Sequence, residues 1–280
     1  MVKKILAYSY IYLILLIMYV PILVLIVFSF TNSTYIGEWS GFSFTLYKNL
    51  FQDEEILIAL GNTLIIAVIS SAVSTILGTL GAIGAFYSKK RSRALIENLN
   101  QIPVVNAEIV IALSLTIMFV FLGNFLFKEN IFSFWTLLAG HVVISVPFVY
   151  LNVKPKLVQM DPSLYEAALD LGCSPRKALR KVLVPQILPG IVSGFLLSFT
   201  LSLDDFIVTA FTRGPGLLSG EANIETLSTL VQAKIKKGPI PPNMRPLTTI
   251  IFLVVLVVAI IISVLRNKKI KHKVRKGRAS

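Results

Sequence analysis

The sequence predicts an all-α integral membrane protein with six transmembrane helices. Hydrophobic residues make up 55% of its 280 residues and charged residues only 15%, whereas soluble domains hold about a quarter charged residues. Runs without charge recur at roughly the 20 residues that a helix needs to cross a ~30 Å hydrocarbon core. Helices are expected because that core cannot satisfy open backbone groups and no segment alternates like a barrel strand. The five uninterrupted runs are 5–30, 61–87, 109–127, 131–153 and 246–265.

The first and fifth helices in chain order need separate justification. Lys3 and Lys4 precede the first run as they would in a signal peptide. Its 26 residues exceed the ~7–15 of a signal-peptide core, so an uncleaved helix is predicted. The fifth helix corresponds to 186–212, which is long enough to span a membrane but contains Asp204 and Asp205.

The distribution of charge predicts the orientation, because short cytoplasmic loops are enriched in Lys and Arg. Basic residues are concentrated before the first helix, in loops 2–3 and 4–5, and in the tail from Arg266, whereas loop 1–2 is acidic. Loop 5–6 departs from this pattern because it is basic as well. Both termini are therefore predicted to be cytoplasmic. The net charge of +13 is interpreted as an orientation signal that also attracts anionic lipid; nucleic-acid binding is not expected, since no aromatic–basic platform accompanies it.

Loop 4–5 is charged and predicts two short helices, at about 162–171 and 175–184. Asp161-Pro162 and Ser174-Pro175 can each supply the N-cap and the first helical residue. Gly172 suits the end of the first helix, and Pro185 is expected to end the second. Helices this short are marginal alone and need a packing surface. Their apolar faces are predicted to be Leu164, Ala168 and Leu171, and Ala178, Leu179, Val182 and Leu183.

One motif in this loop is specific. Glu166-Ala167-Ala168 is followed after three residues by Gly172, and after nine more by Val182-Leu183-Val184-Pro185. The pattern resembles the EAA loop of bacterial ABC-importer permeases, E-A-A-x3-G-x9-I-x-L-P, with valine replacing both the isoleucine and the leucine. The resemblance implies a type I (MetI-like) ABC-importer bundle in which 162–185 forms coupling helices docked on an ATPase subunit. It assigns ATPase coupling to Glu166, Ala167, Ala168, Gly172 and Pro185.

No residue of this chain is expected to hydrolyse ATP. The sequence contains no G-x4-G-K-[ST] phosphate loop, and the glycines of 78–84 lie in an apolar run where small residues allow close helix packing. ATP and magnesium are therefore expected on a partner ATPase, with no cofactor and no catalytic residue in this chain. No metal site is expected either, because Cys173 is the only cysteine and His141 and His272 lie far apart. His141 is interpreted as a packed, hydrogen-bonded residue.

A second resemblance concerns the helix that carries the two aspartates. The segment LSFTLSLDDFIVTAFTRGPG at 197–216 is similar to the fifth helix of spermidine/putrescine ABC transporter permeases of the PotC type. SF followed by TNST at 29–34, and Glu108 followed by IVIALSL, also match, although Ala107 stands where that family often has proline. The resemblance covers nearly the whole chain and implies a polyamine-import permease of a bacterial cytoplasmic membrane. Its implied partners are a homologous permease, ATP-binding ABC subunits and an extracellular substrate-binding protein.

The acids inside the predicted helices indicate a path for a cation. An intramembrane acid costs roughly 2.5–3.5 kcal/mol and usually faces a bundle interior or a water-filled cavity. Asp204, Asp205, Glu108 and Ser202 are therefore assigned to the substrate path. At 1.5 Å per residue, Glu108 is expected ~9 Å into helix 3 and the aspartates ~25 Å along helix 5, at two depths. The alternative for the aspartates is structural: a helix cap or a hydrogen bond between subunits.

Helical spacing separates the two aspartates. Asp205 belongs to a stripe of small and polar residues that is predicted to face the path. Asp204 points about 100° away from that stripe, together with Thr200, where pairing with a neighbouring subunit is the alternative. The stripe consists of Gly194, Ser198, Ser202, Asp205 and Thr209.

Loop 5–6 has the spacing of an amphipathic helix within 221–238. Leu227, Leu230, Val231 and Ile235 recur at near-helical intervals, so a helix at the outer surface is expected. Two alternatives stay open for this helix: it contacts the substrate-binding protein, or it lies on the membrane surface.

The predicted organisation has three parts: a first helix and external loop at 1–60, an ABC transmembrane type-1 core at 61–265, and a basic cytoplasmic tail at 266–280. Two alternative functions stay open. The first keeps the architecture but imports iron, thiamine, phosphonate or sulfate. The second is a secondary transporter or channel with an intramembrane acidic relay, against which the EAA motif and the missing inverted repeat count.

Overall fold

The computed structural model describes residues 2–33, 35, 37–161, 163–214, 224–238, 241–257 and 260. Within these residues the chain is helical, and the β-type pairing is limited to an isolated bridge between Thr31 and Phe42. Five helices are long and apolar enough to cross a membrane, and a shorter apolar helix lies in the sixth predicted run. The predicted all-α, multi-pass fold is confirmed. Predictions that concern Pro162, 215–223, His272 and the tail 266–280 lie outside the described residues.

The helices follow the predicted order, with two π-helical segments among them. The segment Gly123–Phe127 extends the third long helix, and Leu179–Leu183 joins two helices of the loop 4–5 region. The helices are α1 (Val2–Ser29), α2 (Thr45–Gln52), α3 (Glu54–Tyr87), α4 (Lys90–Val105), α5 (Glu108–Leu122), α6 (Phe134–Gln159), α7 (Ser163–Asp170), α8 (Pro175–Ala178), α9 (Val184–Asp204), α10 (Ile207–Thr212), α11 (Leu227–Lys237) and α12 (Met244–Val257).

The chain divides into two compact units, one of residues 1–57 with 234–280 and one of residues 58–233. In the first unit, the Arg245 guanidinium donates to Ser33 O at 2.9 Å. This bond joins residues 212 positions apart, so it ties the segment after α1 to the start of α12. The residues assigned to the candidate sites all belong to the second unit.

The second unit is built on α6 and α9, whose backbones approach closely at glycines of α9. A Cβ added to Gly194 would lie 3.1 Å from Val149 Cα, and one added to Gly190 would lie 2.8 Å from Asn152 O. The two helices therefore run antiparallel at a distance that only glycine permits. From α3, a Cβ on Gly78 would lie 2.7 Å from Val149 Cβ, so the predicted small-residue packing is confirmed at this glycine.

The second short helix of loop 4–5 does not end at Pro185, contrary to the prediction. α8 continues through the π segment into α9, and Pro185 lies in the first turn of α9. Proline lacks an N–H and its ring clashes with the carbonyl four residues earlier in an α-helix. The wider π turn just before it accommodates both defects. One continuous helical segment of 30 residues therefore runs from Pro175 to Asp204.

The loop 4–5 region rests on a buried cluster shared by α3, α6 and the start of α9. Leu157, Leu183 and Ile187 have no exposed surface. Tyr165 of α7 and Leu179 pack against this cluster. The two short helices, too short to be stable alone, thus gain the packing surface that they need.

Candidate functional site

Two helices of the bundle are interrupted at the residues that carry the intramembrane acids. α4 and α5 are separated at 106–107, and α9 and α10 at 205–206. The chain is extended at both breaks, with ψ of 135° before α5 and 122° after α9. Glu108 is the first residue of α5 and Asp204 the last residue of α9. In membrane transporters, broken helices of this kind place helix ends and open backbone groups at ligand sites.

The two breaks lie side by side because α5 and α10 run in the same direction. Ala112 and Val208 belong to one buried cluster. One turn further along both helices, Thr116 Oγ1 donates to Phe211 O at 2.9 Å. Glu108, one turn before Ala112, is consequently level with the break in helix 5.

The three acids therefore share one level of the bundle, and the prediction of two depths is wrong. The Glu108 carboxyl lies within interaction range of Asp205 and of the charge on Asp204. The sequence misplaced Glu108 because it predicts a helix that starts near 102. In the structure a separate helix of 16 residues, α4, begins at Lys90 and ends before the break. Glu108 therefore lies further along this part of the chain than the sequence predicted.

The acids differ in their exposure. Asp205 is buried, with 5% of its surface exposed, whereas Asp204 and Glu108 are exposed. An exposed acid within a membrane-spanning bundle is too costly to face lipid tails and must meet water, a partner subunit or a cation. Asp204 and Glu108 are thus the pair that the subunit leaves accessible.

Asp205 acts as a cap for α10. Its Oδ1 accepts from Val208 N at 3.2 Å, and its Oδ2 accepts from Thr209 N at 2.8 Å and from Thr209 Oγ1 at 2.9 Å. The open N–H groups of a first helical turn require acceptors, and they favour a negative charge. The geometry of Asp205 therefore corresponds to the helix-cap alternative, and a path role for this residue stays a prediction.

A buried histidine from α6 lies against both sides of the break in helix 5. His141 has no exposed surface. Its Nδ1 is 2.8 Å from Ser202 Oγ in α9, and its Nε2 is 2.9 Å from Thr209 Oγ1 in α10. Ser70 of α3 donates to Ser202 Oγ at 3.0 Å. The interpretation of His141 as a packed, hydrogen-bonded residue is confirmed, but no local sequence signal pointed to its partners.

The small and polar stripe of helix 5 does not face an open path within this subunit, contrary to the prediction. Gly194 packs on Val149, and Ser202 is only 3% exposed. Small side chains permit close helix approach, and polar ones then find partners across the interface. The opposite side of the helix, with Thr200 and Asp204, is the exposed one. The assignment of Ser202 to the path stays a prediction.

The predicted helix of loop 5–6 is present as α11, but its start lies inside the bundle rather than on a surface. Leu227 N donates to Thr63 Oγ1 at 2.8 Å, and Ser228 Oγ donates to the backbone oxygen of Asp205 at 2.6 Å. Thr226 and Thr229 are each 3% exposed. Neither alternative drawn from the sequence anticipated this insertion, because its partners lie in other helices.

Gly172 forms the corner between α7 and α8, as predicted. Its φ is +82°, in the left-handed region that glycine adopts without strain. Gly172 N donates to Leu169 O at 2.9 Å and Cys173 N to Ala168 O at 3.0 Å. This pair of bonds is a Schellman motif, which closes a helix on a left-handed glycine.

Some of the residues predicted to couple this chain to an ATPase are exposed on the surface of the EAA loop. Ala168 is 8% exposed and faces inward, whereas Glu166 and Ala167 are exposed. Leu164, Ala168 and Leu171 were predicted to share one apolar face. Leu164 and Leu171 are 46% and 86% exposed, so Ala168 is the member of that set that packs inside this subunit. Leu171 follows α7 at the corner, so its direction is no longer set by helical spacing. Leu171 is therefore an exposed apolar side chain at the corner of the EAA loop.

The described fold is that of the membrane-spanning subunit of an ABC importer. A solved chain of a bacterial ABC transporter involved in the import of the acidic polysaccharide alginate superposes with a TM-score of 0.66 at 15% sequence identity. The superposition covers 95% of this chain and 96% of that chain.

The chain belongs to the family of binding-protein-dependent transport system inner membrane components, whose model matches residues 74–276. It is 32% identical over 243 residues to the spermidine/putrescine transport system permease protein PotC of Escherichia coli K12, covering 87% of both chains. It is 31% identical over 254 residues to the putrescine transport system permease protein PotI of the same organism, covering 89% of this chain and 86% of that one. The resemblance found in the EAA loop and the aspartate helix is thereby confirmed.

Proposed function

We propose that this chain is a non-catalytic permease subunit of an ATP-driven importer and forms part of the transmembrane path for polyamines such as spermidine or putrescine. The observation that carries the proposal is that Glu108 and Asp204 are exposed at one level of the bundle, at two adjacent helix breaks. The names of the relatives supply the substrate class, and the acids supply a physical reason for it.

Two exposed carboxylates at one level suit a flexible polycation. Among the described residues, no basic side chain forms a salt bridge with Glu108 or Asp204. Their negative field attracts a polyamine and repels anions. The cargo alternatives phosphonate and sulfate are disfavoured on this ground, whereas other cations are not.

The EAA loop, 162–185, is proposed to dock on an ATPase subunit that binds ATP and magnesium. Its exposed side chains Glu166 and Leu171 offer a charged and an apolar contact. The continuous helix from Pro175 to Asp204 spans ~45 Å. Movement of the docked loop would therefore reach the break that carries the acids through one stiff element.

The proposed assembly follows from these surfaces. A homologous permease completes the path, two ATP-binding ABC subunits bind the EAA loops, and an extracellular substrate-binding protein delivers the polyamine. The chain lies in a bacterial cytoplasmic membrane with both termini, loop 2–3 and loop 4–5 on the cytoplasmic side, which is supported by the enrichment of Lys and Arg there.

The test is uptake of labelled spermidine and putrescine by proteoliposomes that contain the assembled complex. Glu108→Gln and Asp204→Asn are expected to lower uptake about tenfold or more with the complex intact. Leu171→Asp is expected to release the ATPase during purification. Glu129→Gln, which neutralises an exposed acid away from the breaks, is the matched control and should transport normally.

Two results would contradict the proposal. If wild type moves no polyamine while another solute stimulates its ATPase, the importer architecture stands and the cargo is wrong. Uptake that follows a proton gradient without any ATPase would instead favour the secondary transporter.

A further inference from the structure

We propose that His141 is a positioning residue for the substrate path: it clamps α9 to α10 across their break and thereby fixes where the two aspartates stand. The inference rests on the proposed function, because one of the two aspartates, Asp204, is placed on the polyamine path. His141 itself is buried and does not touch the path.

The break removes the usual constraint between the two halves of helix 5. In a continuous helix the backbone hydrogen bonds set the relative orientation of successive turns. Here Asp205 adopts an extended conformation, with φ of −61° and ψ of 122°. The orientation of α10 relative to α9 therefore depends on the cap that Asp205 provides and on contacts with other helices.

His141 makes such a contact with each half. Its Nδ1 meets Ser202, three residues before Asp205, and its Nε2 meets Thr209, four residues after it. The ring is rigid, so the two distances of 2.8 and 2.9 Å fix the separation of these hydroxyl groups. The Asp205 carboxylate lies beside the Thr209 hydroxyl, with Oδ2 at 2.9 Å from Thr209 Oγ1 and 3.5 Å from His141 Nε2.

The shortest contacts of each group assign a consistent arrangement of the hydrogen atoms in this cluster. A hydroxyl has one hydrogen to donate, and Thr209 donates its hydrogen to Asp205 Oδ2 at 2.9 Å. Thr209 Oγ1 must then accept from Nε2–H of His141. The Nδ1 of the neutral ring accepts from Ser202, which in turn accepts from Ser70 at 3.0 Å.

The result is a directed chain of hydrogen bonds that begins on α3 and ends on the Asp205 carboxylate. Ser70, His141 and Thr209 have no exposed surface, so water cannot replace a missing member. Loss of the ring would remove one buried hydrogen-bond partner from Ser202 and one from Thr209, on the two sides of the break. The cap on α10 would then lose its lateral support, and Asp204, the preceding residue, would lose its fixed direction.

A matched control lies one turn along α6. Ser145 is also fully buried, and its Oγ has no hydrogen-bond partner among the described residues. Ser145→Ala therefore removes a buried hydroxyl from the same helix face without breaking a bond. If burial alone explained the role of His141, both positions would respond alike.

The first experiment measures the geometry of the break directly. Spin labels are attached to Thr200→Cys and Ala210→Cys, two exposed positions on α9 and α10, in the intact complex with Cys173→Ser. His141→Leu is expected to broaden the distribution of the distance between the labels. His141→Gln, which keeps a donor for Thr209, should restore part of the narrow distribution, and Ser145→Ala should not change it.

The second experiment measures polyamine molecules imported per ATP hydrolysed, a ratio that is insensitive to the amount of folded complex. His141→Leu is expected to lower the ratio about fivefold or more while ATP hydrolysis continues. His141→Gln should recover part of it. His141→Leu combined with Ser202→Ala should be no worse than His141→Leu alone, because both break the same chain.

The outcomes separate the two proposals. Unchanged label distances in His141→Leu, or changed distances with an unchanged transport ratio, would overturn the positioning role. A wild-type complex that imports no polyamine would instead overturn the proposed function, and the label distances would still decide whether His141 holds the break.

Discussion

Asp204 and Asp205 are neighbours in the sequence, but the carboxylate of Asp205 is buried and that of Asp204 is exposed. Asp205 accepts three hydrogen bonds from the first turn of α10, so little acceptor capacity is left for a ligand. Asp204 ends α9 with an exposed side chain and keeps its capacity for a charged donor. At the residue scale, one acid stabilises the break and the other is available to a cation.

This division predicts unequal effects of two similar substitutions on stability. Asp205→Asn is expected to lower the free energy of unfolding by about 1–3 kcal/mol, because the amide replaces one acceptor oxygen and removes the charge that favours the start of α10. Asp204→Asn should change it by less than about 0.5 kcal/mol, as for an exposed site. Thermal unfolding of the purified complex measures both, and equal losses would contradict the assignment.

A second residue-scale prediction concerns Glu97 of α4. Its Oε1 lies 2.9 Å from Lys154 Nζ and 3.0 Å from Arg93 Nε. Hydrogen bonds from Lys154 and then Arg93 hold the pKa of Glu97 below its ordinary value. A carboxyl with a lowered pKa in the folded state contributes stability above its unfolded pKa and loses it as the pH falls through the folded value.

Glu97→Gln should therefore lower stability near neutral pH and have no effect in acid. The expected loss is below about 1 kcal/mol, because the groups are partly exposed and water screens them. Once the pH lies below the lowered pKa of Glu97 in the folded state, the wild type and the variant should unfold alike, since the carboxyl is then protonated in both states. A difference in unfolding midpoint that stays constant with pH would contradict the role of the charge.

At the element scale, local signals predicted helices well where the chain obeys local rules. The glycine at 172 predicted the corner after α7, because a left-handed residue closes a helix by bonds within its own turn. The prediction that the second short helix ends at Pro185 was wrong, because the π turn that accommodates this proline depends on packing of Leu183 against α6 and α3.

The corner itself gives an element-scale prediction. Gly172→Ala is expected to cost about 1–2 kcal/mol, because alanine is strained at a φ of +82°, although nothing lies within 4 Å of the added Cβ. Gly172→Asn should cost less, since asparagine tolerates that conformation. The measurement is retention of the ATPase on the purified permease together with ATP-driven uptake.

The control for this prediction is Gly84→Ala. Its added Cβ also meets nothing within 4 Å, but Gly84 lies in a helix without positive φ. Alanine there should leave ATPase retention unchanged. Equal loss of the ATPase in both variants would show that chain flexibility, rather than the left-handed corner, is what the loop requires.

At the scale of the whole molecule, composition and periodicity predicted the helices. The EAA motif and the helix that carries Asp204 and Asp205 predicted the family. Neither predicted how the site is assembled. The bonds from Asn62 to Glu225 and from Ser70 to Ser202 join residues 163 and 132 positions apart. Such pairs leave no periodic trace in a single sequence, so the common level of the acids and the insertion of α11 required the structure.

Orientation in the membrane is the last prediction at this scale, and the chain carries its own reporter. Cys173 is the only cysteine, is partly exposed, and follows the corner glycine of the EAA loop. If Lys and Arg enrichment sets the topology, a membrane-impermeant maleimide should label Cys173 in inverted vesicles and not in right-side-out vesicles. Asn49→Cys in a Cys173→Ser background, on exposed α2, should show the reverse.

The two labelling sites test the topology together, because each is the control for the other. Bound ATPase would shield Cys173, so the labelling is carried out with the ATPase subunits absent and repeated after they are added. Protection on addition would place the docking surface at the corner that presents Leu171. Labelling of Cys173 only from the outside would overturn both the orientation and the docking site, since an ATPase in the cytoplasm could not reach that loop.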